Sequence, residues 1–435
     1  MLYGKETKKA LDNFPISGIT MPTDFIRHLA MIKKACAGAN QQTGKLDNKR
    51  AKAIKAAATE IISGQHDGQF VLDVFQTGSG TSTNMNMNEV VSELCRSVYG
   101  ETVHPNDHVN MSQSSNDVIP SAIHISAYLG LTNNLIPSLN LLSDTLMARS
   151  TSLNSIIKTG RTHLMDALPM TLGQELGGWH KQIVNNIKRI ESSYKRLSML
   201  ALGGSAIGTG LNSSAEFSVR ACAQLSESTG ITFVVNDNLF EAISCQDTAV
   251  EVSGHLKTLA TSLMKISNDL RWQNSGPLAG LGEIILPELQ AGSSIMPGKV
   301  NPVIPEAVCM ACAQVIGNDM TITIAGQGGN FQLNTYLPVI AYNLLQSITI
   351  LANSAKLLAT KVMMTFEVNH ENLKSVLAFN PILVTALNNH IGYEKAAEIA
   401  KQAYASKRAI IDVAIEMTDI DHQELIKLLD PKNLI

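Results

Sequence analysis

Four segments rich in Ser, Thr, Asn and Gly interrupt a sequence whose patterns are otherwise helical. They span residues 76–89, 104–117, 160–166 and 292–302. Hydroxyls, side-chain amides, lysine ammonium groups and the first N–H groups of a helix all donate hydrogen bonds to anions. Together these donors suit the oxygens of a small dicarboxylate, and the single Lys and His groups among them supply charge and acid–base capacity.

Taken one at a time, the segments have simpler explanations. Hydroxyl and amide side chains are common helix N-caps, and Gly is common in turns. The Gly-Ser-Gly at 78–80 is half of a dinucleotide fingerprint, but no strand precedes it. His104 and His108 flank a turn and do not share a helix face, which disfavours a metal site. A lone histidine such as His163 is more often structural than catalytic.

Composition and charge argue against several classes of function. The net charge is −3 and no basic block follows the chain, so a nucleic-acid partner is not expected. Apolar residues make up 45% and charged residues 16%, which suits a large buried core. The uncharged stretch 320–355 contains Gly, Asn, Gln and Pro and is too polar for bilayer hydrocarbon, so no membrane partner is expected.

The six cysteines are scattered and indicate reduced thiols. Cys309 and Cys312 form a CxxC, but no second pair follows and the apolar surroundings favour a core helix over a metal or redox site. The first ten residues carry lysines and no apolar stretch, unlike a secretory signal. These features predict a cytoplasmic protein.

The elements that must position the four segments are mostly helices. Two apolar seams repeat at alternating spacings of four and three residues, which is typical of one buried helix face. They comprise Val252, Leu256, Leu259, Leu263, Ile266 and Leu270, and then Leu344, Ile348, Leu351, Ala355, Leu358 and Val362. Further helices are expected near 121–157 and 171–200. Residues 306–317 are apolar nearly all round, which predicts burial on every side, and any sheet should be minor.

Changes along the chain predict three domains. Residues 1–119 mix short helices with polar loops, residues 120–366 hold the long helices, and residues 367–435 return to short amphipathic pieces. The longest helices cannot each cover their apolar seams in a small monomer. The central bundle is therefore expected to be shared between subunits.

The segment at 292–302, Gly-Ser-Ser-Ile-Met-Pro-Gly-Lys-Val-Asn-Pro, resembles the signature of the fumarase/aspartase superfamily. The other three segments match the remaining motif regions of that superfamily in the same order, and the resemblance covers essentially the whole chain. Ser-Ser-Asn at 114–116, Thr-Gly-Ser-Gly-Thr at 77–81 and the tail at 383–397 are most similar to class II fumarases.

The resemblance implies a mainly helical, all-α fold with three domains, a central bundle of long helices and a homotetramer whose active sites each draw on three subunits. It implies a reversible anti elimination of water from L-malate that yields fumarate through an aci-carboxylate carbanion. Neither a metal nor an organic cofactor takes part in that chemistry.

The resemblance also assigns roles to residues of the four segments. Ser293 is the base, and its alkoxide needs stabilisation by loop N–H groups and Lys299. His163, paired with Glu306, is the acid that protonates the departing hydroxyl through a bound water. Lys299 and Asn301 hold the carboxylate whose charge grows in the transition state.

Further residues are implied as ligands of the substrate. Those expected to bind its two carboxylates and leaving hydroxyl are Ser79, Thr81, Ser114, Ser115, Asn116 and Thr162. In the family, His104, Asn106 and Asp107 lie in a second dicarboxylate site.

Some positions depart from the class II pattern. Met111 stands where fumarases generally have Lys, and Met165 where they generally have Gln. Residues 303–305 and 332–334 look more like aspartases, so aspartate ammonia-lyase is the nearest alternative, with ammonia as the leaving group. Argininosuccinate and adenylosuccinate lyases fit the Ser-Ser-Asn less well. A non-catalytic scaffold of the same fold has no need for the intact catalytic set.

Overall fold

The computed structural model describes residues 1–435 and is dominated by helices, which confirms the all-α prediction. The helices are α1 (Lys5–Asn13), α2 (Thr23–Gln42), α3 (Asn48–Ile62), α4 (Thr81–Ser97), α5 (Ser115–Gly130), α6 (Ile136–Ser152), α7 (Leu172–Glu191), α8 (Tyr194–Leu197), α9 (Ala215–Thr229), α10 (Leu239–Ser244), α11 (Asp247–Gln273), α12 (Val303–Gln327), α13 (Leu337–Leu358), α14 (His370–Ala378), α15 (Asn388–Ile391), α16 (Tyr393–Ser406), α17 (Ile410–Met417) and α18 (His422–Leu428). Short 3-10 turns lie at Asp67–Gln69, Pro381–Leu387 and Pro431–Leu434, and π-helical turns at Pro105–Val109, Leu131–Leu135 and Ala359–Met363.

The strands form four two-stranded sheets, so sheet structure is minor, as predicted. The strands are β1 (Ile157–Thr162), β2 (Met165–Thr171), β3 (Met199–Leu200), β4 (Val234–Val235), β5 (Ile284–Ile285), β6 (Gly329–Asn330), β7 (Leu333–Asn334) and β8 (Glu367–Val368). β1 pairs with β2, β5 with β8 and β6 with β7 in antiparallel fashion, whereas β3 and β4 are parallel.

The apolar seams predicted from the sequence are buried. The seam that begins at Val252 lies on α11, and the seam that begins at Leu344 lies on α13 and the π-helical turn that follows it. The helix expected near 121–157 is observed as α5, a π-helical turn and α6. It ends at Ser152 because the chain then enters β1.

The residues fall into two compact units. Unit 1 comprises Met1–Pro137, Asn186–Ala260 and Ala311–Asn353, and unit 2 comprises Ser138–Asn185, Thr261–Met310 and Ser354–Ile435. This division follows internal contacts and is not a test of the three successive domains, which stay a prediction.

Unit 1 is built around α2, which packs against α3, α5 and α9. Phe25, Leu29 and Ile32 fill its core with no exposed surface. The same helix buries Lys33 and Asn40, seven residues apart and therefore on one face. This buried polar face lies under the segments that begin α4 and α5.

In unit 2, β1 and β2 form a hairpin in which Thr162 pairs with Met165. The register shifts between Thr159 and Arg161, so Ala167 and Leu168 of β2 lie opposite the single residue Gly160 and form a bulge. The sequence marked 160–166 as a polar segment that interrupts the helical pattern, and the structure forms this segment as the end of a hairpin. The strands were missed because they are short and carry no alternation of apolar and polar residues.

Helix α12 is the one helix long and apolar enough to cross a bilayer, a test that the core helix of a soluble protein also passes. Its Val308, Cys312 and Ile322 are buried, but Met310 is 70% and Met320 61% exposed. The prediction that residues 306–317 are buried on every side is therefore wrong for the single chain. The chain's own residues cover one face of α12 and leave an apolar stripe on the other.

Candidate active site

Two helix N-termini of unit 1 carry the hydroxyl groups predicted to bind carboxylates. α4 begins at Thr81, whose Oγ1 lies 2.8 Å from Ser79 Oγ. Gly78 is required here because a Cβ would collide with the main-chain carbonyl of Thr335. The N–H of Thr83 donates to Gln76 Oε1, and the N-cap residue, Gly80, has no side chain that could cap the helix. The N–H groups of Thr81 and Ser82, which precede Thr83 in α4, are therefore placed to bind an anion.

The N-terminus of α5 is held by a buried carboxylate. Asp117 accepts from the N–H of Ser114 at 2.9 Å, of Gly203 at 3.1 Å and of Ser205 at 2.8 Å, and it completes a capping box with Ser114. Burial raises the pKa of Asp117 to about 6, while these N–H donors and Lys33 oppose the shift. Asn116 Nδ2 donates to Ala206 O at 2.8 Å, which fixes the orientation of its side chain.

The two helix N-termini meet. Asn84, in the first turn of α4, donates from Nδ2 to Ser115 Oγ at 3.3 Å. The structure thus brings together a group that we call the donor cluster, comprising Ser79, Thr81, Ser114, Ser115 and Asn116. Hydroxyl donors at the positive ends of two helices are chemically suited to carboxylate oxygens.

The signature loop, residues 292–302, lies in unit 2 and closes on itself. Asn301 Nδ2 donates to Gly292 O at 2.6 Å, and a Cβ at Gly292 would collide with the carbonyl of Lys299. Ser293 Oγ accepts from the N–H of Ile295 at 3.2 Å and of Met296 at 3.1 Å. Two backbone N–H groups aimed at one serine oxygen stabilise negative charge on it, and a serine base needs that stabilisation.

A cavity of about 630 Å³ in unit 2 borders the signature loop. Its lining includes Lys299, Asn301 and Glu306, the last of which lies in the first turn of α12. The aspartase-like residues 303–305 form the start of the same helix. The loop and the helix start therefore place a lysine, an amide and a carboxylate along one cavity.

His163 is presented at the tip of the hairpin of β1 and β2. His163 and Leu164 form a two-residue turn with φ values of 55° and 61°, a left-handed geometry that is unusual for residues other than Gly and Asn. Both side chains are exposed, as is Thr162. No ion pair joins His163 and Glu306 in the single chain, so the structure does not bring the predicted pair together.

The base of this hairpin is fixed by a buried ion cluster. Lys158 Nζ contacts Glu283 at 2.7 Å and Glu175 at 2.8 Å, and Arg161 contacts Glu283 at 2.5 Å. Asn380 Nδ2 donates to Ala167 O at 2.9 Å from the C-terminal part of the unit. Sequence reasoning missed Glu283 and Asn84. The buried Lys158 and Arg161 need a carboxylate partner, but no spacing in the sequence identifies which carboxylate it is.

The predicted second site lies on the π-helical turn Pro105–Val109. His104 Nδ1 accepts from the N–H of Asp107 at 3.1 Å. An open cavity of about 490 Å³ in unit 1 is lined by Asn106 and Asp107, and also by Lys45 and Met111. Met111 therefore stands in the wall of this cavity, where Lys45 supplies the cation. No group of three or more His, Cys, Asp or Glu side chains in the structure could hold a metal ion.

Comparisons with known proteins identify the family. Residues 1–317 match the family model described as Lyase, and residues 383–435 match Fumarase C C-terminus. The class II fumarate hydratase of Xylella fastidiosa is 54% identical over 433 residues, which are 100% of this chain and 92% of that protein. That of Mycobacterium tuberculosis is 49% identical over 430 residues, 99% of this chain and 90% of that protein.

The chain belongs to the class II fumarate hydratase family. The solved class II fumarase of Schistosoma mansoni superposes with a TM-score of 0.96 at 38% identity, covering 100% of this chain and 95% of that one. A fumarate lyase:delta crystallin from Brucella melitensis gives 0.92 at 41% identity, covering 99% and 96%. Membership of the class II fumarate hydratases confirms the predicted fold and the hydro-lyase class. It gives no support to the ammonia-lyase or scaffold alternatives.

Proposed function

We propose that Ser293 is the base with which this fumarate hydratase interconverts L-malate and fumarate. The observation that carries the proposal is the pair of N–H donors, from Ile295 and Met296, on Ser293 Oγ. A serine hydroxyl is a weak base in water, and fixed donors lower the free energy of its alkoxide. Lys299, three residues beyond Met296, adds positive charge on the same loop.

The donor cluster and the signature loop divide the binding of the substrate. Lys299 and Asn301 hold the carboxylate that becomes the aci-carboxylate, because fixed donors lower the barrier most where charge develops. The donor cluster and Thr162 bind the second carboxylate and the departing hydroxyl. His163 returns a proton to that hydroxyl through a bound water, which completes the elimination.

The acid and its carboxylate partner come from different subunits in this proposal. His163 is exposed at its hairpin tip, and Glu306 lies at the start of a helix whose apolar stripe is uncovered. A second copy of the chain that covers this stripe could bring Glu306 to His163. A homotetramer with active sites that each draw on three subunits is the assembly that the resemblance implies.

Three further assignments stay proposals. The second dicarboxylate site uses His104, Asn106 and Asp107, around the cavity that Lys45 lines. The protein is cytoplasmic, and the lack of any disulfide among its six cysteines is in keeping with the reducing environment there. The chain is organised as domains at 1–119, 120–366 and 367–435.

The absorbance of fumarate tests the activity directly. Purified protein is given L-malate or L-aspartate, each with and without a chelator. We expect fumarate to form from L-malate alone and the rate to be unchanged by the chelator. Fumarate from L-aspartate alone would replace the hydratase with an ammonia-lyase, and a loss of rate with the chelator would contradict a metal-free mechanism.

A further inference from the structure

Lys33 is a fully buried lysine whose hydrogen bonds go only to neutral amides. Its Nζ donates to Asn110 Oδ1 at 2.9 Å and to Gln113 Oε1 at 3.0 Å, and its side chain has no exposed surface. Burying an ammonium group without a paired carboxylate is costly, so a lysine at this position needs a reason. None of the proposed catalytic steps uses it.

The amide of Asn110 is a junction between Lys33 and α4. Its Oδ1 accepts from Lys33 and also from Asn84 Nδ2 at 3.1 Å and Asn88 Nδ2 at 3.3 Å. Its Nδ2 donates to Gln113 O at 3.3 Å. A hydrogen bond from a charged donor is stronger than one between neutral groups, so the ammonium fixes which way this amide faces.

Asn84 connects Asn110 to Ser115, which belongs to the donor cluster. The Nδ2 group that donates to Asn110 also donates to Ser115 Oγ at 3.3 Å. A serine oxygen that accepts from inside the protein keeps its own proton for a partner outside. A continuous set of contacts therefore runs from Lys33 through Asn110 and Asn84 to Ser115.

We propose that Lys33 is a positioning residue for substrate binding, which acts through Asn110 and Asn84 to aim the Ser115 hydroxyl at a substrate carboxylate. The inference deepens the proposed function and rests on it, since it needs Ser115 to be a carboxylate ligand. Lys33 also places positive charge beneath a site for an anion.

Lys33 is protonated at neutral pH, because the negative charge of Asp117 partly offsets the effect of burial on its pKa. The titratable groups nearest to it are Cys36 on its own helix and Asp117 on α5, with Cys222 on α9 beyond Cys36. Burial lowers the pKa of Lys33 to about 8, and it raises the pKa of the Cys36 thiol, which stays neutral.

The adjacent lysines provide a matched pair of variants. Lys33→Met removes the ammonium and keeps the length of the side chain, whereas Lys34→Met makes the same change at a half-buried neighbour with no hydrogen bond. We expect Lys33→Met to raise KM for L-malate roughly tenfold while kcat changes by less than about threefold. Lys34→Met should leave both constants unchanged. An unchanged KM in folded Lys33→Met would overturn the proposal.

A double-mutant cycle separates positioning from general destabilisation. If Lys33 acts through Ser115, the KM effects of Lys33→Met and Ser115→Ala overlap, and the double variant is little worse than Ser115→Ala alone. Full additivity would show that Lys33 acts elsewhere. The wild-type rate with L-malate and the effect of Ser115→Ala report on the proposed function separately, so failure of either is distinguishable from failure of the Lys33 inference.

Asn84→Leu keeps the proposal testable if Lys33→Met does not fold. Asn84 Oδ1 is buried without a hydrogen-bond partner, so the isosteric leucine removes an unsatisfied oxygen and is compatible with folding. The variant removes the Asn84 amide that links Asn110 to Ser115 and leaves Lys33 in place. We expect the same rise in KM, and a wild-type KM would overturn the proposal.

Discussion

At the scale of single residues, one serine oxygen decides whether the proposed chemistry is possible. Ser293 Oγ has two backbone N–H donors at hydrogen-bonding distance and no side-chain base beside it. In the proposal, the N–H groups of the loop make the hydroxyl acidic enough to act. The proposed role of Ser293 therefore depends on the backbone geometry of the loop, which Asn301 and Gly292 maintain.

Ser293→Ala should lower kcat with L-malate by about 10²–10⁴-fold, the range that a positioned acid–base group contributes. The thermal midpoint should change little, because the lost bonds lie in a largely exposed loop. Steady-state kinetics and a thermal melt measure both effects. Ser294→Ala, at the exposed neighbouring position, is the control. Equal losses in the two variants would remove Ser293 from its assigned role.

A buried histidine sets a pH dependence of stability. His124 Nδ1 bonds the carbonyl of Met199 at 2.9 Å, and burial lowers the pKa of His124 to about 4. A depressed pKa contributes stability that is present above the unfolded value near 6.5 and is lost as pH falls through 4. His124 alone should therefore reduce the free energy of unfolding by about 2 kcal/mol between pH 7 and pH 5.

Urea unfolding at the two pH values, in wild type and in His124→Gln, measures this contribution. The glutamine can still donate to Met199 O but does not titrate. Asp117, with its raised pKa, acts in the opposite direction and is common to both proteins. The variant should lack about 2 kcal/mol of the change that the wild type shows. The same pH dependence in both proteins would contradict the assignment.

At the scale of elements, the long helices could be predicted from sequence patterns, whereas the hairpin that presents His163 could not. The long helices follow from apolar seams, and every residue of the two predicted seams is buried. The hairpin gives no such pattern, because its two-residue turn is His-Leu and not Asn-Gly, which sequence rules associate with this geometry. Its position depends on Glu283, which lies 122 residues beyond Arg161 in the chain.

The residues of the donor cluster could be predicted from the sequence, but the residues that hold them in place could not. Ser114, Ser115 and Asn116 stand out as a polar segment at a helix start. Lys33, in contrast, lies inside a helix of mainly core residues, and Asn84, although part of the polar segment 76–89, has no spacing that marks it as a support for Ser115. Only the packing of α2 and α4 against the start of α5 reveals that they hold the segment.

Glu283→Gln should destabilise the protein by about 3 kcal/mol, because it leaves Lys158 and Arg161 buried with half of their negative partners removed. Glu216→Gln, which breaks the exposed ion pair with Arg220, should cost less than about 1 kcal/mol. Denaturant unfolding of the two variants measures both. Similar costs would show that the cluster does not fix the hairpin.

At the scale of the whole molecule, α12 links the fold to its assembly. Residues 306–317 of this helix are apolar nearly all round, yet Met310, and further along Met320 and Ile324, are more than half exposed in the single chain. A helix with such a stripe needs a partner in water. The sequence predicted complete burial because an apolar pattern does not distinguish a surface buried within the chain from one left for a partner. A shared bundle reconciles the two observations.

Hybrid oligomers test whether the active sites are shared. Ser293→Ala and His163→Asn should each lower the activity by at least about 100-fold, since one lacks the proposed base and the other the proposed acid. If these residues meet only across subunits, mixed oligomers contain some sites in which both are wild type, and activity returns on co-refolding. The recovered rate should rise and fall with the mixing ratio, with its maximum near equal amounts. Two different affinity tags show whether a mixed oligomer contains both chains. If such mixtures are inactive, Ser293 and His163 belong to the same subunit's site. The exposed stripe of α12 would then concern assembly alone.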